Sequence, residues 1–419
     1  MEVKALRPKI PPEEQELVIL NGDEAVAYAV KQSLVDVVSA YPITPQTIIV
    51  ERISEYVADG VIKTEFVPVE SEHSAMSVCI GAAATGARAF TATSSQGLAL
   101  MVETLYIASA LRLPIVMAVA NRALSAPINI HNDHSDAYLM RDSGWVQLFV
   151  ENVQEAYDTT IQAFRIAEDE RALVPVAVNL DGFFLSHMTE NVRVLPDKAV
   201  EEFLGGHRKV PKVKVDYYAE EVPLALNPAR PLSFGNLDLY DFYFEHKVQQ
   251  NEALRAVPEV VREVNRAWHE LTGRSYGDGV VEPYGLEDAD VVIVAMGSGA
   301  GTFRDAVRRA RARGEKVGLL KLRLYRPFPH EDLARLLGDR KLVAIAEKGI
   351  SLGSYGPLFL DLAAALYGRR GAPELVNYIY GLGGRDLEPE LALRAVEGLA
   401  EEARSGKIGP RFRYLGVRG

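Results

Sequence analysis

Four short polar motifs, each just after an apolar run in the first half of this 419-residue chain, carry side chains suited to work on a charged organic molecule. The first is Tyr41-Pro42-Ile43-Thr44-Pro45. Pro45 suits a first helical turn, which makes Thr44 the expected N-cap. The functional reading is a hydroxyl held rigidly between two prolines of fixed φ. The second is Glu70-Ser71-Glu72-His73-Ser74. A glutamate there is costly to bury unless partnered or protonated. Ser71 and Glu72 could simply cap a helix and complement its dipole, or a carboxyl with a raised pKa could do proton work. The third, Thr93-Ser94-Ser95-Gln96-Gly97, either receives an anion at a helix N-terminus or is a plain cap. The fourth is Arg122, closing the run Ala118-Val119-Ala120-Asn121. Its planar fork is a carboxylate clamp if free and a structural ion pair if not.

Two further motifs attract attention and are discounted. His131-Asn132-Asp133-His134-Ser135-Asp136 resembles a metal loop, but no third-ligand spacing follows it, and no metal is assigned to this chain. The loop GSGAGT (297–302) looks like half of a dinucleotide fingerprint. The next apolar run ends in Lys321-Leu322-Arg323, with no acidic residue for a ribose diol. Tight helix–strand packing is the plainer account; a nucleotide-binding dehydrogenase is kept as the alternative from a different class.

The elements that must position these residues alternate regularly. Apolar runs at 36–41, 64–69, 89–93, 114–120 and 174–180 read as buried strands, and segments at 23–33, 47–57, 74–84, 97–110 and 155–168 have helical spacing. Such alternation predicts an α/β fold with parallel sheets covered by helices on both faces. Ligands of such sheets bind at the carboxyl ends of the strands, where all four motifs stand. We divide the chain into an N-terminal arm (1–16), a first α/β domain (17–192), a proline- and aromatic-rich connector (193–250) and a second α/β region (251–419). In the last, 251–273, 303–313 and 353–366 read as helices, and 290–296, 317–322 and 342–346 as strands.

Composition narrows the function. Lys and Arg number 46 against 57 Asp and Glu, a net charge of −11, which argues against a nucleic-acid binder. No apolar run approaches the roughly 18–20 residues of a membrane helix, and the opening residues lack the apolar core of a signal peptide; a cytoplasmic protein is expected. The single cysteine, Cys79, cannot make an internal disulfide or a Cys-rich zinc site, nor supply the about four thiolates of an iron–sulfur cluster. It reads as a packed core residue.

Taken in order, the motifs resemble the α subunit of pyruvate:ferredoxin oxidoreductase, among the thiamine-diphosphate-dependent 2-oxoacid:ferredoxin oxidoreductases. The resemblance spans most of the chain: YPITP (41–45), ESEHSA (70–75), SSQGL (94–98), the strand ending at Arg122, DHSD (133–136), RDSGW (141–145), LDGFFLSH (180–187) and RPFP (326–329). It implies a pyrimidine-binding first domain and a transketolase C-terminal-like second one that binds no cofactor. Glu72 matches the Glu that hydrogen-bonds the aminopyrimidine and favours the imino tautomer that deprotonates the thiazolium carbon. Arg122 matches the Arg that binds the oxoacid carboxylate, and Thr44 the threonine that contacts substrate. Pro42 and Ile43 are expected beside the cofactor. Gln46 departs from the small hydroxyl residue usual there, with local effects expected.

Thiamine enzymes of this kind hold the diphosphate through Mg²⁺ at a GDG motif followed by an Asn. Gly277-Asp278-Gly279 is present, yet no asparagine occurs between Asn265 and Asn377. Asn21-Gly22-Asp23-Glu24 fails likewise, the next asparagine being Asn121. The diphosphate half, Mg²⁺ and the [4Fe-4S] clusters are therefore expected on partner chains: a β subunit, and γ and ferredoxin-like δ subunits. The implied reaction is CoA-dependent oxidation of pyruvate to acetyl-CoA and CO₂, with electrons passed to ferredoxin. A branched-chain 2-oxoacid or 2-oxoglutarate is the alternative substrate.

Overall fold

A computed structural model describes residues 7–418; the arm before Arg7 lies outside the described residues. In chain order the first half comprises β1 (Glu16–Asn21), α1 (Gly22–Gln32), β2 (Val37–Ala40), α2 (Thr47–Ala58), β3 (Glu65–Pro68), α3 (Glu72–Ala84), β4 (Ala89–Thr93), α4 (Ser95–Ala110), β5 (Val116–Asn121), α5 (Ser135–Leu139), β6 (Val146–Phe149), α6 (Val153–Ala167), β7 (Val176–Asp181) and β8 (Thr189–Val194). After α7 (Asp197–Leu204), a short pair, β9 (Lys212–Val213) and β10 (Val222–Pro223), precedes the long α8 (Tyr243–Thr272). The second half follows with β11 (Val281–Tyr284), β12 (Val291–Ala295), α9 (Gly299–Arg311), β13 (Val317–Leu322), β14 (Leu324–Arg326), α10 (His330–Leu337), β15 (Leu342–Glu347), α11 (Pro357–Leu366), β16 (Glu374–Ile379), α12 (Pro389–Ser405) and β17 (Phe412–Tyr414).

Two open sheets result. The first has the order β14-β6-β7-β5-β4-β2-β3, parallel except for β14; the second, β11-β13-β12-β15-β16-β17, is parallel except for β11. Every residue of β4, β5, β6, β7, β12, β13 and β15 is buried. That is the environment of a strand covered on both faces, and it explains the near-continuous apolar runs. Cys79 is fully buried on α3, and burial pushes its thiol up to about 12. β1 and β8 form a separate antiparallel ribbon. No helix among the described residues is long and apolar enough to cross a membrane.

Strands β6 and β14 of the first sheet and β11, β16 and β17 of the second are absent from the sequence reading, as are β1, β8, β9 and β10 outside them. β14 leaves the second half of the chain to pair with β6 in the first sheet, so its hydrogen-bond partners are remote in sequence. Helix α8 begins earlier than expected, at Tyr243, and runs through Pro258. Within the N-terminal arm, Lys9 and Ile10 donate backbone N–H groups to the carbonyl oxygens of Glu270 and Leu271 at the end of α8.

The halves are joined by buried charge. Lys321 and Arg323, beside the end of β13, pair with Glu155 on α6, at 2.7 and 3.0 Å. Lys321 also meets Glu151 at 2.9 Å and Glu282 at 3.1 Å. Burial would lower the lysine's pKa, but these carboxylates hold it above its ordinary value. The basic ending of this strand is structural.

Candidate active site

The first sheet sets the carboxyl ends of β7, β5, β4, β2 and β3 side by side, and the four polar motifs occupy these ends. Arg122 follows β5 directly and is 7% exposed. Its Nη1 donates to the carbonyl oxygen of Thr44 at 2.8 Å and its Nε to that of Asn129 at 3.1 Å. Burial lowers its pKa, opposed by Asp136. The structure thus brings Thr44 and Arg122 together.

Thr44 is not the N-cap of α2, contrary to the expectation. The helix starts at Thr47, and Gln46 precedes it. Gln46 is fully buried, and its Nε2 donates to Tyr41 O at 2.8 Å and Ala92 O at 3.3 Å. This side chain clasps the proline loop to β4, and the helix begins only after it. Thr44 and Pro42 stay exposed and Ile43 half-buried.

Glu72 opens α3, where Ser71 is the N-cap and accepts from Ser74 N at 3.3 Å. The capping reading of Ser71 therefore holds, while Glu72 turns inward and is 6% exposed. Its carboxylate lies against α4. A Cβ built on Gly97 would sit 2.5 Å from Glu72 Oε1 and 2.6 Å from Thr93 Oγ1. Only glycine lets the helix approach this closely. Thr93 Oγ1, beside this carboxylate, and Gln46 Oε1, on the proline loop clasped to β4, are buried with no hydrogen-bond partner, so both are unused polar atoms. A flat heterocycle bearing both donors and acceptors suits this set. Gly97 and Thr93 were legible only as part of a possible cap; their facing of Glu72 is tertiary.

Both glycine- or serine-rich turns that could bind an external anion are filled from within. Ser95 N, at the start of α4, donates to Asp136 Oδ2 at 3.0 Å. At the start of α9, Ser298 N donates to Asp181 Oδ2 at 3.0 Å, and the Ser298 hydroxyl bonds the same carboxylate. Lys348 Nζ reaches Asp181 Oδ2 at 2.6 Å and His134 Nε2 its Oδ1 at 2.7 Å. Burial would raise the Asp181 pKa, but Lys348 and His134 hold it well below the usual carboxylate range. The GSGAGT loop is thus an interdomain clasp on Asp181, which overturns the dehydrogenase alternative.

The other discounted motifs are also engaged by the protein. His134 binds Asp181, and Asp133 accepts from Ser135 N at 2.9 Å. Among the described residues no cluster of three His, Cys, Asp or Glu side chains could hold a metal. Asp278 of the GDG accepts from Val280 N and Val281 N at 2.9 Å and from Arg262 at 2.9 Å. It makes a tight turn.

Comparison with known proteins agrees with this architecture. Residues 28–266 match the family described as pyruvate flavodoxin/ferredoxin oxidoreductase, thiamine diphosphate-binding, and residues 289–392 match pyruvate:ferredoxin oxidoreductase core domain II. Pyruvate synthase subunit PorA of Thermotoga maritima is 52% identical over 403 residues, covering 96% of this chain and 98% of that protein. The subunit of the same name from Methanocaldococcus jannaschii is 50% identical over 374 residues, 89% of this chain and 92% of that one. Among solved structures, 2-oxoglutarate:ferredoxin oxidoreductase from Magnetococcus marinus superposes with a TM-score of 0.72 at 24% identity. The match covers 93% of this chain and 66% of that one, and it speaks for the fold alone.

Proposed function

This chain belongs to the pyruvate:ferredoxin oxidoreductase family, and on that premise we propose that it is the α subunit of a multi-subunit enzyme. That enzyme oxidatively decarboxylates pyruvate with CoA, giving acetyl-CoA, CO₂ and reduced ferredoxin. The observation that carries its share of the site is the placing of Arg122, Thr44 and Glu72 at the ends of β5, β2 and β3 on one edge of the sheet, with Arg122 bonded to the Thr44 carbonyl.

The residues around Glu72 fit the aminopyrimidine half of thiamine diphosphate. Glu72 would hold it, with Thr93, Gln46, Pro42 and Ile43 around it and Gly97 leaving the space. When bound, thiamine diphosphate supplies a nucleophilic carbon and an electron sink for decarboxylation. Glu72, itself buried, holds or releases a proton at its carboxyl. Arg122 fixes the oxoacid carboxylate by charge-assisted hydrogen bonds. Thr44 orients the substrate from the facing loop, so the protein's share of the work is positioning and electrostatics. Partner subunits, β for the diphosphate and Mg²⁺, and γ and δ with the [4Fe-4S] clusters, complete the enzyme; one buried cysteine cannot supply clusters here.

Co-purification with its neighbouring subunits, followed by CoA-dependent viologen reduction with a panel of 2-oxoacids, tests this reading. Pyruvate should give the highest kcat/KM, and the isolated chain none. A higher kcat/KM for a branched-chain 2-oxoacid or 2-oxoglutarate would replace the substrate, and activity of the isolated chain would overturn the division of labour.

A further inference from the structure

We propose that Asp136 is a positioning residue for the oxoacid site, acting through the backbones of Arg122 and Ser95. The proposal rests on the reading of Arg122 as the carboxylate clamp. Asp136 is fully buried. Its two oxygens accept four hydrogen bonds from three directions. Oδ2 accepts from Arg122 N at 2.9 Å and Ser95 N at 3.0 Å; Oδ1 accepts from Asn121 Nδ2 at 2.9 Å and Ala137 N at 2.7 Å. One carboxylate therefore ties the end of β5 to the first residue of α4, the two elements that carry Arg122 and Gly97.

The tie is needed because the backbone at Ser95 is not relaxed. Ser95 has φ +48, a left-handed conformation uncommon outside glycine. Such a residue persists only where its surroundings over-determine it. Here the amide is held by Asp136 and the hydroxyl donates to Ala123 O at 2.6 Å, one residue beyond Arg122. Together Ser95 and Asp136 grip the chain on both sides of the clamp.

Burial raises the Asp136 carboxyl to about 6, against the pull of the Arg122 and Ser95 N–H groups. The charged groups acting on it are Arg122, just after β5, and Asp133, in the loop before the α5 helix that bears Asp136, with His134 two residues before it in sequence. Asn121 from β5 and Ser95 from α4 are neutral. A protonated oxygen would face two N–H donors as a donor itself, so the hold on Arg122 or Ser95 is lost as pH falls through about 6.

The test uses the assembled multi-subunit enzyme and steady-state kinetics with pyruvate from about pH 5.5 to about 8. In the wild type, KM should rise on the acid side while kcat changes less. Asp136→Asn should raise KM on the order of tenfold or more at neutral pH and remove the acid rise, because misplacing a binding group by an ångström is this costly. Added to Arg122→Ala, Asp136→Asn should have much less effect than alone, as expected when one residue acts through another. A wild-type KM and pH profile in Asp136→Asn would overturn the proposal, and so would an undiminished effect in the Arg122→Ala background. An unchanged kcat/KM in Arg122→Ala alone would instead overturn the clamp reading. Should Asp136→Asn fail to assemble, the wild-type profile decides: a rise in KM on the acid side supports the proposal, and a flat KM overturns it.

Discussion

The guanidinium of Arg122, at the end of β5, donates through Nη1 to the carbonyl oxygen of Thr44, 2.8 Å away on the loop after β2. The strand between them in the sheet is β4. The contact therefore bridges over the end of β4 and sets the clamp and the proline loop as one unit.

Replacing Arg122 by alanine removes both the charge and this bridge. Hydrogen bonds to charged groups contribute about 1.5–3 kcal/mol. The kcat/KM for pyruvate should fall by about tenfold to a hundredfold. Steady-state kinetics of the assembled enzyme read this directly; an unchanged value excludes Arg122 as the clamp.

Glu72→Gln keeps the shape of the α3 start and removes the ionisable proton carrier. Turnover should fall on the order of 10²–10⁴-fold. Size-exclusion chromatography should show the complex intact. Near-normal pyruvate oxidation in the assembled variant would sink the proton-transfer role.

Gly97→Ala places a methyl group 2.5 Å from Glu72 Oε1 and 2.6 Å from Thr93 Oγ1. Helical propensity favours the alanine by about 1 kcal/mol, so the fold should survive. Thiamine diphosphate should bind at least severalfold more weakly. Cofactor titration of the apo-complex measures this, and a wild-type Kd would show that the cradle is not used.

Lys348→Met strips Asp181 of its closest cation while keeping the length of the side chain. Breaking a buried pair in this way costs about 3–5 kcal/mol. Calorimetry should record a clear fall in Tm. A Tm equal to wild type would mean that Ser298 and His134 hold Asp181 without the lysine.

Glu347 gives a pH dependence of stability. It is buried at the end of β15, accepting from Leu358 N at 3.0 Å, Asn377 Nδ2 at 2.7 Å and Tyr138 at 3.0 Å, and burial raises it to about 7. The folded state thus binds its proton more tightly than the unfolded chain. The resulting stability is full below the ordinary carboxyl pKa of 4.5 and is lost as pH rises to about 7. Its size is on the order of 3 kcal/mol. In Glu347→Gln this contribution is absent, so the Tm advantage of the wild type should shrink between about pH 5 and about pH 7.5. A difference independent of pH would refute the assignment.

Local pattern was sufficient for the α/β class and for β2, β3, β4, β5, β7, β12, β13 and β15 of the two sheets, because strands buried on both faces must be apolar throughout and the helices between them amphipathic. It also placed Thr44, Glu72 and Arg122 at strand ends, since turn residues and prolines punctuate those runs. It could not show that Gly97 faces Glu72, that Gln46 delays the start of α2, or that β14 returns to the first sheet. It left the GSGAGT loop open to a nucleotide, and the fold supplied Asp181 from 117 residues away instead. The chain alone determines many of the buried strands, the longer helices between them and the polar residues that end them, because those signals repeat within a turn or a pleat. Only the tertiary structure decides which buried donors meet which carboxylates, because that depends on contacts between residues far apart in sequence.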